Sequence, residues 1–266
     1  MPTVPAGDSD CEAGLAPHLM RRIRITVAYD GGPFHGWQVQ PGLATIQGTL
    51  EEIVSGMEGK PVHVAGSGRT DAGVHALRQV AAFSLENPIP LANLRRAMNR
   101  LLPPAIRVCS VEEVDAAFHP RFDAKAKTYE YRIARTEVCS PFDWPFVHHY
   151  PYPLDEDRMT RLASVFEGEH DFSAFAASDD RDAEGQSKVR TIFASVLTRG
   201  QDRLIYRVRG SGFLKHMVRN IVGTLLEVGK GNLDAEAVCG LLAPGVTEKA
   251  GPTAVARGLF LVEVEY

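Results

Sequence analysis

The sequence predicts an α+β fold: two similar subdomains built on a mostly antiparallel mixed sheet, with helices packed on it. Segments with the period-2 alternation of half-buried strands recur along the chain. Segments with the 3.6-residue period of amphipathic helices lie among them. The two kinds do not alternate as strict βαβ units, and this disfavours an all-parallel sheet.

The first strand runs from Arg22 to Asp30, where Ile23, Ile25, Val27 and Tyr29 alternate with Arg22, Arg24, Thr26 and Ala28. "DGGPFHGW" after it reads as turn and loop. Thr45 is placed to cap a helix whose apolar face is Ile46, Leu50, Ile53, Val54 and Met57, and Gly59 to end it. A strand near Val62–Ala65 leads into "GSGRTDAGVHA", Gly66 to Ala76, and "RQVAAFSL" follows as another strand. Pro90 starts a helix carrying Leu91, Leu94, Met98, Leu101 and Leu102, which Pro103-Pro104 stops. "AIRVCSVEEV" closes this half as a strand.

The second half repeats the scheme, with strands at "KTYEYRIA", "TIFASVLTR", "RLIYRVRG" and "GLFLVEVEY". Helices are expected near Glu156–Phe166, Leu214–Val228 and Ala235–Leu242. The middle one has a broad apolar face of Leu214, Met217, Val218, Ile221, Val222, Leu225 and Leu226, so it should pack hard on a sheet. The expected divisions are a disordered tail at 1–20, an N-terminal subdomain at 21–118 and a C-terminal subdomain at 119–266. The hydrophilic stretch "AASDDRDAEGQSK", 176–188, is expected to be a mobile loop.

A chain of 266 residues, 44% apolar and 23% charged, can bury a proper core, and it has no apolar run long enough to span a membrane. Residues 1–20 lack the basic start and apolar core of a secretory signal and read as a dispensable tail. Cys11, Cys109, Cys139 and Cys239 form no C-x-x-C pair and stand near no His doublet, so neither a disulfide framework nor a metal site is indicated, and a reducing cytoplasm fits best. The net charge of −4 argues against coating nucleic acid through bulk charge. Charge is nevertheless segregated: residues 203–219 hold Arg203, Arg207, Arg209, Lys215 and Arg219 and no acid.

"GSGRTDAGVHA" admits three readings. Gly66, Gly68 and Gly73 permit backbone conformations that other residues resist, so the segment can be a tight turn with Asp71 capping amides and Arg69 in a surface pair. A phosphate cradle is a second reading, but the P-loop spacing is absent and the G-x-G lacks the further glycine of a dinucleotide fold. In the third, Asp71 is a catalytic carboxylate with Arg69 beside it, since a guanidinium favours the charged form needed by a nucleophile or base.

Residues 117–133, "AFHPRFDAKAKTYEYRI", interleave cations with aromatic rings. Tyr129 and Tyr131 are either half-buried strand packing or, with the cations, the means to stack a base and meet phosphates. In "GSGFLKHMVRNIVG", residues 210–223, Lys215, His216 and Arg219 open an apolar helix; Lys215 and Arg219 are expected to share one helical face and form a rigid substrate clamp.

Taken in order, "YDGGPFHGWQVQPGLATIQGTLE", "GSGRTDAGVHA", "QVAAF", "FHPRFDAKAKTYEYRI", "EGEHDFSAFA" and "GFLKHMVRNIVGTLLEVGKG" resemble the TruA family of tRNA pseudouridine synthases over about residues 22–266. The resemblance implies the pseudouridine synthase fold and conversion of uridine to pseudouridine at positions 38, 39 and 40 in the anticodon stem-loop of tRNA. It implies a cytoplasmic homodimer that needs no cofactor. It further implies that Asp71 is catalytic, that Arg69 helps displace the target nucleotide, that Tyr129 stacks on the flipped uracil and that Arg219 pairs with the carboxylate. Phe118, His119, Pro120, Arg121 and Phe122 fall where the family contacts tRNA; Lys215 and His216 are further RNA-binding candidates. Two features depart from the family: the loop at 176–188 is acidic, and residues 1–20 precede the family's usual start.

Overall fold

The computed structural model describes residues 20–178, 187–246 and 248–266. The expected tail at 1–20 and the core of the expected loop at 176–188 lie outside these described residues.

The N-terminal strands are β1 (Arg21–Tyr29), β2 (Ala65–Gly66), β3 (His75–Leu85) and β4 (Ile106–Val114), with helices α1 (Ile46–Glu58) and α2 (Leu91–Leu101) between them. Ile23, Ile25 and Val27 of β1 are fully buried, as the alternation requires. Thr45 caps α1 by accepting from the Gly48 amide at 3.2 Å, and Gly59 ends it in the left-handed region with φ 77°. Pro90 precedes α2, whose buried residues are Leu94 and Met98; Leu101 instead points to solvent. Between α1 and the glycine-rich motif the expected strand shrinks to Ala65–Gly66, although Val62 and Val64 remain buried as packing residues.

The later elements are β5 (Ala126–Ala134), β6 (His148–His149), α3 (Glu156–Ala163), β7 (Gly168–Asp171), β8 (Val189–Arg199), β9 (Arg203–Gly210), α4 (Met217–Gly229), α5 (Ala235–Leu241) and β10 (Leu259–Glu265). The helix expected to reach Phe166 stops at Ala163 and tightens into a 3₁₀ turn over Ser164–Phe166. The helix expected from Leu214 begins at Met217 instead, because His216 adopts a left-handed backbone, φ 61°, which an α-helix cannot contain.

The strands join in a mixed, mostly antiparallel sheet, in the order β4-β1-β3-β10-β5-β9-β8-β7, with β2 on β3 and β6 on β5. Among the described strand pairs only β3/β10 and β5/β6 are parallel. The last strand of the chain thus inserts at the centre, between the strands that precede residue 118 and those that follow it. One hydrophobic core runs across the join, from Ile23 and Phe83 to Tyr131, Tyr206 and Ile221. No helix among the described residues is long and apolar enough to cross a membrane.

Helix α4 is buried nearly all round. Its polar residues are satisfied: Asn220 donates to the Phe175 carbonyl at 2.6 Å and accepts from the Thr253 hydroxyl at 2.6 Å, and Thr224 accepts from the Gly251 amide at 3.1 Å. These bonds fasten residues 251–254 along the helix and so fix where Arg219 starts from.

Replacing the buried Thr45 hydroxyl tests the cap on α1. Thr45→Ala is expected to lower stability by about 1 kcal/mol, and Thr45→Ser to restore most of it, read as urea midpoints at unchanged slope.

Candidate active site

The glycine-rich loop between β2 and β3 is held from below by buried polar groups. Thr70, between Arg69 and Asp71, is buried; its hydroxyl meets the Tyr29 hydroxyl at 2.8 Å, and its carbonyl accepts from the Trp37 amide at 3.0 Å. Gln79 of β3, fully buried, accepts from the Ser67 hydroxyl at 2.5 Å and donates to the Gly68 carbonyl at 3.0 Å. Lys127 of β5 donates to the Ser67 carbonyl at 2.6 Å. Of the motif's three glycines, Gly73 needs the left-handed region, φ 76°, where the Val74 amide turns back to the Asp71 carbonyl at 3.1 Å. Gly66 is needed for space, because a Cβ there would lie 2.5 Å from the Trp37 ring.

Beyond the loop, His75 is buried and stacked on Phe260 with ring centroids 4.7 Å apart. Its Nδ1 lies 3.1 Å from both the Gly31 amide and Asp30 Oδ1, and its Nε2 donates to the Arg257 carbonyl at 3.2 Å. Burial lowers its pKa against the pull of Asp30. The loop that carries Asp71 is thereby tied to the segment that enters β10.

Asp71 opens into a cleft of about 860 Å³. Arg219 of α4, 148 residues away in sequence, donates from Nη1 to Asp71 Oδ2 at 3.1 Å and from Nε to the Ala254 carbonyl at 2.7 Å. Their side chains are 15% and 26% exposed, so the pair is partly shielded from water and is stronger than a surface ion pair. His216 Nε2 lies 3.5 Å from the same oxygen. Burial lowers the imidazole's pKa; Asp71 opposes this, while Arg219 and Lys215 reinforce it, and Arg219 is therefore the charged partner of Asp71 at neutral pH.

Tyr129 lines the same cleft, its ring edge-on to Phe213 at 4.9 Å. Burial, with Tyr29 and Asp71 acting in the same direction, pushes its phenol well above the usual range, so it stays protonated. Arg69 is exposed at the cleft and makes no ion pair among the described residues. The turn reading of the motif expects a surface pair for Arg69 and amide capping by Asp71; the carboxylate instead faces the guanidinium of Arg219.

The other candidates divide. Lys215 and His216 line the cleft, but Lys215 precedes α4 and shares no helical face with Arg219; its ammonium donates to the Ser178 carbonyl at 3.2 Å. His119 and Arg121 also line the cleft. Phe118 is half-buried against Tyr266 at 5.1 Å, and buried Pro120 accepts from the Tyr266 hydroxyl at 2.7 Å. Phe122 is 75% exposed and lies on the His119 ring at 4.3 Å. Sequence reasoning missed Gln79, Thr70, Tyr29 and Phe213. A signal existed for Gln79 alone, as an amide at the head of the apolar run in "QVAAF". No group of three or more His, Cys, Asp or Glu among the described residues could hold a metal ion.

A family model described as tRNA pseudouridine synthase matches residues 25–123 and 162–266. A tRNA pseudouridine synthase A of Solibacter usitatus is 74% identical over 248 residues, covering 93% of this chain and 100% of its own length. Proteins of the same name from Brevibacillus brevis and Geotalea uraniireducens are 43% and 44% identical over 247 residues, each covering 93% of this chain and 100% of their own length.

The support beneath the loop can be tested apart from any chemistry. Gln79→Met leaves the buried Ser67 hydroxyl and the part-buried Gly68 carbonyl without their partner, and is expected to lower stability by about 1–3 kcal/mol in urea unfolding.

Proposed function

The chain belongs to the tRNA pseudouridine synthase family, and from that membership we propose that it isomerises uridine to pseudouridine at positions 38, 39 and 40 in the anticodon stem-loop of tRNA, with Asp71 as its catalytic carboxylate. The observation that carries the role of Asp71 is its ion pair with Arg219 at 3.1 Å, inside a cleft that Tyr129 and Arg69 also line.

The reaction breaks the bond between ribose C1′ and uracil N1, turns the base and joins C1′ to C5; the C5 hydrogen leaves and N1 gains one. A base within the stem is out of reach, so the uridine must be flipped out and its open state stabilised. Arg69, exposed at the rim, takes the place of the displaced nucleotide, and Tyr129 offers an aromatic face within the cleft. Asp71 must be ionised whether it attacks C1′ or C6 or takes a proton from C2′. The guanidinium of Arg219, 3.1 Å from Asp71 Oδ2, holds the carboxylate in place before substrate arrives, so little reorganisation is needed at the moment of reaction. Asp71 is contributed by the half at 21–118, and Tyr129 and Arg219 by the half at 119–266, so chemistry depends on the two being held together.

We extend the proposal to a homodimer, since a single acidic subunit of this size offers a limited basic surface to a large folded RNA. The cysteines among the described residues, Cys109, Cys139 and Cys239, are free thiols, in line with a reducing cytoplasm.

Release of tritium from tRNA labelled at uridine C5 tests the activity directly. Wild type is expected to release it and Asp71→Ala to be slower by at least about 10³-fold; no release by wild type on several tRNAs overturns the assignment. Tyr129→Leu is expected to lower turnover by roughly 5- to 150-fold, the equivalent of one base–aromatic stack, while tRNA affinity stays within about threefold because many phosphate contacts remain. Equal losses in both would refute the stacking role.

A further inference from the structure

Residues 251–258 cross from α5 to β10, and the aim of Arg219 depends on them. Ala254 is joined to Arg219 twice: its amide donates to the Arg219 carbonyl at 3.1 Å, and its carbonyl accepts from Arg219 Nε at 2.7 Å. The second bond directs the guanidinium whose Nη1 meets Asp71. A carbonyl can aim a side chain only if it is itself fixed. The peptide plane of the Ala254 carbonyl meets the plane of the Val255 carbonyl at the Val255 Cα, so only φ and ψ of Val255 lie between them.

That second plane is held by Tyr131. This β5 residue is fully buried, and its hydroxyl donates to the Val255 carbonyl at 2.7 Å. Burial, opposed by Arg219 and Arg257, pushes the phenol well above its usual range, so the proton stays available to donate. A hydroxyl has one proton. The contact with His148 Nδ1 at 3.2 Å is therefore one in which the imidazole N–H donates to the phenol oxygen. Burial, and then the charges of Arg257, Lys230 and His149, pull the His148 pKa down to about 4, so its ring is neutral at neutral pH. Gly258 lets the chain pass this close, since a Cβ there would lie 2.9 Å from the Tyr131 carbon that bears the hydroxyl. Farther along, the Arg257 carbonyl accepts from His75, and Arg257 Nε donates to the Val147 carbonyl at 3.0 Å. Of these ties, Tyr131 grips the residue next to Ala254. Unlike Tyr129, it does not line the cleft, so its part in the reaction is played through another residue.

We infer that Tyr131 is a positioning residue for the reaction: its hydroxyl, backed by His148, holds the Val255 carbonyl and so keeps the Ala254 carbonyl where it aims Arg219 at Asp71. The inference rests on the reading of Asp71 and Arg219 as the pair that serves the isomerisation. A phenol suits the task because its ring fills the core while its oxygen offers one donor and an acceptor, and both are used. Loss of that oxygen loosens the segment behind Arg219 and leaves every side chain of the cleft in place.

The test uses full-length protein and tRNA labelled with tritium at uridine C5, in single turnover with enzyme in excess. Tyr131→Phe keeps the ring and drops the hydroxyl. It is expected to lower the rate constant about tenfold, the equivalent of one hydrogen bond, with tRNA affinity within about twofold of wild type because the cleft surface is kept. The same change is then made in Arg219→Lys, which keeps a cation but not the fork that spans two acceptors. There it is expected to cost less than about twofold, because the group it acts through is gone. A general loss of packing would cost the same factor in both backgrounds. A second readout needs no RNA: in arginine nitrogen–proton spectra, the Arg219 Nε–H, assigned by its absence from Arg219→Lys, is expected to exchange with solvent about tenfold faster in Tyr131→Phe. The Arg21 Nε–H, bonded to Glu113 at 2.9 Å in the other half of the chain, is expected to keep its rate. Equal rate factors in the two Arg219 backgrounds, unchanged exchange at Arg219, or the same acceleration at Arg21 overturns the positioning role. If Tyr131→Phe does not fold, the exchange measurement on His148→Phe decides, since that variant keeps the ring contacts with Tyr131 and Tyr150 and drops the N–H. Faster exchange at Arg219 in a protein that releases no tritium would keep the positioning and reject the isomerase reading.

Discussion

The contact between Arg219 Nη1 and Asp71 Oδ2 is the point on which the site depends, and neither residue can reach it alone. Asp71 stands where it does because Thr70 is gripped by Tyr29 and Trp37, because Gln79 satisfies the loop behind it, and because Gly73 turns the chain back. Arg219 is aimed by its second bond, to the Ala254 carbonyl, and that carbonyl is fixed in turn by the bonds of residues 251–254 to α4. A guanidinium with two acceptors on different elements has little rotamer freedom left, so the carboxylate meets a charge already in place.

The sheet makes that meeting possible. β3 and β10 pair in parallel at His75–Phe260 and Ala76–Leu261, immediately after the glycine-rich loop. His75 reinforces the join through Gly31 and Arg257, as a ring inside an aromatic stack. Because β10 follows the other described strands in sequence, the geometry of the candidate site is complete only when β10 is in place. Non-local pairing of this kind is slow to form, and it leaves the two halves sharing one core.

Charge in the cleft is arranged against the sign of the whole protein. Carboxylates pair with arginines away from the cleft, such as Arg21, Arg24, Arg135 and Arg209, whereas the described lining of the cleft contributes Asp71 as its one carboxylate beside several cations. A net charge therefore says little about a site whose field is set by a few residues within a Debye length.

Local pattern was enough for much of this architecture. The alternation in β1, the Thr45 cap, Pro90 before α2 and the strands at 203–210 and 259–265 were legible because hydrophobic period and capping chemistry act over a few residues. The motifs also marked Asp71, Arg219 and Tyr129 as chemistry-bearing. What sequence spacing could not supply was the partner of each group. Lys215 and Arg219 have helical spacing, yet the left-handed His216 puts Lys215 outside the helix. Arg69 is two residues from Asp71, yet the guanidinium that faces the carboxylate comes from 148 residues away. Gln79 and Lys127 gained their roles beneath the loop only when β3 and β5 were brought around β10. Sequence by itself determined which side chains are available and which segments bury a face, since both follow from residue chemistry and short-range geometry. Only the tertiary structure decided which charges meet and which stay uncompensated, because Coulomb energy and desolvation depend on distance and burial in space.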